Sequence, residues 1–113
     1  MTAENIIALV IFAMVAMVMI VIGIYQLNQK TPVGFYTGVK APTPEEITDV
    51  KAWNLKHGIM WIVYGILIIV GYVGGFLSSN VFIQLAFVIV CDVWPIILMI
   101  VYHSHLCKVY WRK

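Results

Sequence analysis

Charge is what this sequence has least of. Seven basic and five acidic residues amount to 11% of the 113, against roughly 25% in ordinary soluble domains, while 63% of the chain is hydrophobic. So few charges cannot cover the outside of a water-soluble globule of this length, which implies a lipid-covered fold. Cysteine is scarce too: Cys91 and Cys107 lie in or beside an apolar segment, and no disulfide framework follows. No basic residue precedes the first apolar run, so that run reads as a retained membrane span and not a cleaved signal. A net charge of +2 offers no basic surface for nucleic acid. A phosphate-binding glycine loop, a nucleophile elbow and an H-E-x-x-H pair are all missing, so the chain is read as non-enzymatic, and no cofactor is expected.

Long apolar runs are what the sequence does have. Ile6 to Tyr25 carries no charge and as a helix would measure about 30 Å, the thickness of a bilayer core. Gly58 to Cys91 is again uncharged but too long for one span, and Gly74-Gly75-Phe76-Leu77-Ser78-Ser79-Asn80 interrupts it with turn chemistry. The runs do not alternate apolar and polar residues, which excludes a β-barrel. The expectation is a single all-α membrane domain over 1–113. It has three transmembrane helices near 4–26, 58–75 and 81–106, and a cytoplasmic loop at 27–57 carrying a short interfacial helix. Lys30, Lys40, Lys51 and Lys56 fall in that loop and Lys108, Arg112 and Lys113 in the tail, while the 74–80 connection has no basic residue. The positive-inside rule then puts the N-terminus outside and the C-terminus in the cytoplasm.

The loop has two parts. Pro32, Gly34, Gly38 and Pro42 predict a compact, turn-rich first half. Thr43-Pro44-Glu45-Glu46 then reads as an N-cap, a first-turn proline and the returning acid of a capping box. The helix it opens is expected to be short and to lie at the interface, with a continuation into the second span through a bend at Gly58 left open.

Three constellations are candidates for function. Asp92 lies half-way along the third span, where a carboxylate costs roughly 2.5–3.5 kcal/mol to insert. Three residues on, Pro95 withholds the amide that would reach the Cys91 carbonyl, so Asp92, Cys91 and Pro95 together could bind a proton or small cation. The same acid could equally be a neutral packing group. His57, His103 and His105, with Cys107, gather near the cytoplasmic boundary and are candidate ligands for a metal or haem, or else interfacial anchors. Gly71 and Gly75, four apart, and Ala13, Ala16 and Gly23 on the first span allow close helix packing, within one chain or between the chains of a homo-oligomer.

Pro32-Val33-Gly34-Phe35-Tyr36-Thr37, followed by Trp53-Asn54 and an apolar span, resembles the SdpI family of small bacterial membrane proteins. In that family a Gly-x-Arg-Thr turn precedes a tryptophan in a short helix leading into the membrane; here Tyr36 stands in the arginine's place. The resemblance carries over to Gly34, Thr37, Trp53 and Asn54. It implies an inner-membrane protein of a group associated with toxin immunity and signalling, recognising a membrane or peptide partner. The leading expectation is therefore a binding module acting through its loop and spans. An oligomeric proton- or ion-coupled transporter using Asp92 is the alternative, and a haem- or metal-binding redox subunit the weaker one.

Overall fold

A computed structural model describes residues 3–35 and 40–112. Three helices are long and apolar enough to cross a membrane: α1 (Ala3–Leu27), α2 (Val50–Leu77) and α3 (Val81–Tyr110). The molecule is an elongated all-helical body of 53 × 22 × 19 Å. α2 is the central helix, with α1 along one side and α3 on the other.

The α1/α2 contact is set by small residues spaced seven apart on each helix. A methyl group on Gly58 would come within 2.7 Å of the Gly23 carbonyl, and one on Gly65 within 2.8 Å of the Ala16 carbonyl. Without side chains there, the two antiparallel backbones approach closely enough to gain the van der Waals contact that drives helix association in lipid. Further along, the Phe12 and Tyr72 rings lie 5.0 Å apart and the Tyr72 hydroxyl donates to the Asn5 carbonyl at 3.0 Å. α3 meets α2 most closely where Gly71 faces Cys91 and Gly74 faces Phe87. Gly75, expected to share that contact, meets only Gln84 at ordinary van der Waals distance.

Two expectations about the connections need correction. The Thr43–Glu46 capping box is formed, but the helix it opens is one 3₁₀ turn, Pro44–Glu46. No separate short α-helix is evident among the described residues. Ile47 turns extended, is 1% exposed and pairs with Trp111. Thr48 N–H donates to the Tyr110 carbonyl at 2.8 Å and Arg112 N–H to the Glu46 carbonyl. These tertiary bonds end the turn before local propensity would. A second cap, Asp49, accepts from Ala52 N–H at 3.0 Å and starts α2, which runs unbroken through Gly58 into the apolar span. α2 also runs past Gly74 and Gly75, so the connection to α3 is Ser78-Ser79-Asn80 alone.

Candidate functional site

The residues brought together at the basic end of the bundle begin with the chain after α1. Where such a segment is buried, its peptide groups must find partners within the protein. Here side chains do so. Asn54, 2% exposed, accepts from Val33 N–H at 3.0 Å and donates to the carbonyls of Gln29 and Thr31 at 3.0 and 2.9 Å. Trp53 Nε1–H donates to the Val33 carbonyl at 2.8 Å, Trp61 Nε1–H to that of Phe35 at 2.9 Å, and Gln26 to that of Gly34 at 3.3 Å. The segment 29–35 is thus fastened to α1 and α2, and Phe35 packs into the bundle core.

The Phe35 ring reaches His103 on α3, with ring centroids 4.7 Å apart. His103 Nδ1 lies 2.8 Å from Nε2 of the fully buried His57, and His57 Nδ1 lies 2.8 Å from the Trp53 carbonyl. That carbonyl can only accept, so His57 Nδ1 carries the hydrogen. With both rings neutral, His57 Nε2 then accepts from His103 Nδ1–H, and His103 Nε2 accepts from the Cys107 thiol 3.6 Å away. The order of donors is fixed along the whole chain from Cys107 to Trp53. It ties α3 to α2 at the depth where the loop docks.

The histidines expected to form one set therefore divide. His57 and His103 face each other and occupy each other's ring nitrogens. His105 turns outward to a groove between α2 and α3, whose volume is about 670 Å³ and which it lines with Lys56. Among the described residues no three of His, Cys, Asp and Glu converge as metal ligands.

Asp92 lies in a widened turn of α3, Ile89–Val93, closed by Trp94 N–H donating to the Ile89 carbonyl five residues back. Pro95, which follows, has no N–H to give the Cys91 carbonyl, and a wider turn accommodates the break. Tyr64 of α2 donates its hydroxyl to the Asp92 carbonyl at 2.8 Å. The Asp92 carboxyl sits over Gly71, with Oδ1 buried and without a hydrogen-bond partner among the described residues. It lines a cavity of about 180 Å³ with Tyr64 and residues of α1.

Of the loop motif, Gly34, Trp53 and Asn54 come together as described, while Tyr36 and Thr37 lie outside the described residues. Sequence reasoning missed Gln26, Trp61 and Tyr64 as site residues. A signal was present: Trp53, His57, Trp61 and Tyr64 recur at intervals of three and four, a stripe of polar-tipped side chains along one face of an otherwise apolar helix. Compared with known proteins, the chain matches no family model, no curated protein and no solved structure significantly.

Proposed function

We propose that this membrane protein is a non-enzymatic binding module whose recognition surface is the basic end of the bundle, formed by the docked loop and the adjoining α2/α3 groove. The observation carrying this reading is the fastening of residues 29–35 by Asn54, Trp53, Trp61 and Gln26. Backbone held by six side-chain bonds is a preorganised surface, and a merely connecting loop needs no such holding. The reading agrees with the immunity- or signalling-like role that the SdpI-family resemblance implies. Its orientation, loop and C-terminus in the cytoplasm, rests on the basic residues at that end and their absence from Ser78–Asn80.

Photo-crosslinking tests it. A benzophenone side chain placed at Lys40, in the loop beyond the fastened segment 29–35, is expected to give a discrete adduct in native membranes, and Asn54→Ala, which releases that segment, is expected to remove it. No adduct, or one indifferent to Asn54→Ala, overturns the reading.

The unpartnered Asp92 oxygen favours one second reading, proton or ion coupling through the α1-side cavity. That reading requires pH-driven flux in proteoliposomes that Asp92→Asn abolishes.

A further inference from the structure

We infer that the groove between α2 and α3 is a binding site for one anionic phospholipid of the leaflet on the basic side, with an acyl chain in the groove and the phosphate at Lys56. The inference rests on the proposed binding role and names its ligand. Length is the first argument. On α2 the groove runs from Lys56 to Leu67, eleven residues or about 16 Å at 1.5 Å per residue, half of a bilayer core about 30 Å thick. It therefore spans one leaflet, from interface to midplane, ending beside Pro95 on α3.

Lining is the second. Ile59, Val63, Leu67 and Leu98 wall an open groove of about 670 Å³, a surface that a flexible hydrocarbon chain can follow. The floor is apolar: Met60 and Met99 form it, and the Tyr64 hydroxyl is committed to the Asp92 carbonyl.

Charge is the third. Lys56 is the one formally charged side chain among the described residues lining the groove, which His105 also lines. The Lys56 ammonium lies 5.2 Å from the Tyr110 ring centroid, which anchors it at the interfacial mouth. Asp49, the acid two turns back along α2, is turned to Ala52 N–H as the helix cap. A single cation at the mouth of a chain-length apolar groove matches a lipid phosphate that keeps its net negative charge. A zwitterionic headgroup matches it less well, because its own cation offsets the phosphate.

The test is native mass spectrometry of the full chain released from nanodiscs holding equal amounts of phosphatidylglycerol and phosphatidylcholine. Expected is one retained lipid, with phosphatidylglycerol favoured about fivefold, the effect of one surface lysine on an anionic lipid. Lys56→Gln should bring the ratio close to one, and Val63→Trp, which fills the groove, should lower retention of both lipids at unchanged helical content. Equal retention of the two lipids by the wild type overturns the assignment, as does a preference that survives Lys56→Gln. Retention unaffected by Val63→Trp marks lipid held elsewhere on the surface, and a lipid-free dimer that Val63→Trp dissociates marks a second copy; either overturns it too. If the assignment fails while the Lys40 adduct persists, the binding role stands with another ligand; if both fail, the role falls.

Discussion

Asn54 shows how one side chain sets the conformation of a segment 21 to 25 residues away. Its amide is both donor and acceptor, so it can satisfy a backbone N–H and two carbonyls at once, a combination that no apolar or acidic residue of similar size provides. Asn54→Ala leaves those groups without partners and should cost roughly 2–4 kcal/mol. Denaturant titration in detergent measures the loss, and faster hydrogen exchange confined to residues 29–35 would mark the loop as its origin. Unchanged exchange there would refute the fastening. Glu46 gives a second test, one of pH. The Thr43 backbone N–H, then its hydroxyl, hold the exposed Glu46 carboxyl below the usual carboxylate range. A lowered folded value means that the cap contributes fully above the ordinary glutamate pKa and is lost as pH falls through the lower folded one. A carboxyl-carbon NMR titration should put the Glu46 midpoint below that of a glutamate in an unstructured peptide. Thr43→Val, which removes the hydroxyl, should move it part of the way back.

At the scale of the helices, small residues decide what packs and proline decides where the helix deforms. Gly58→Ala pushes a methyl group into the Gly23 carbonyl and the Leu27 side chain. Leu27 can move aside and backbone cannot, so the cost should be about 1–3 kcal/mol of overpacking, seen as a lower unfolding temperature in detergent. A stabilised Gly58→Ala would contradict the close approach. Gly58 also shows where sequence reading reaches its end. A glycine following a capped polar segment reads as a bend, but whether it bends the helix or admits a neighbour depends on what lies opposite, and Gly23 is thirty-five residues away. The capping box was similarly legible, yet how far its helix runs was settled by Ile47 pairing with Trp111.

For the molecule as a whole, the presence of three helices long and apolar enough to cross a membrane followed from apolar length, because hydrocarbon thickness admits few solutions. Sidedness is open to direct measurement. In a background with Cys91 and Cys107 replaced by alanine, a membrane-impermeant thiol reagent outside intact cells should label Ser79→Cys and spare Lys40→Cys, since these positions lie at opposite ends of the bundle. The reverse pattern would invert the orientation. Site placement was less legible. His57 and His103 are forty-six residues apart, and only the antiparallel return of α3 beside α2 puts their rings at 2.8 Å and leaves His105, two residues on, facing the groove.

The sequence by itself determined that the chain is all-helical, that three of its helices are long and apolar enough to cross a membrane, and that its basic residues gather in the loop and the tail. Each of these follows from the transfer of side chains between water and lipid, a property each residue carries wherever its neighbours are. Tertiary structure alone decided that the loop docks, that two histidines join while the third departs, and that α2 and α3 part to leave a groove running from Lys56 to Leu67. Those outcomes depend on which backbones can approach and which hydrogen bonds remain to be satisfied once they have, and both are properties of pairs distant in sequence.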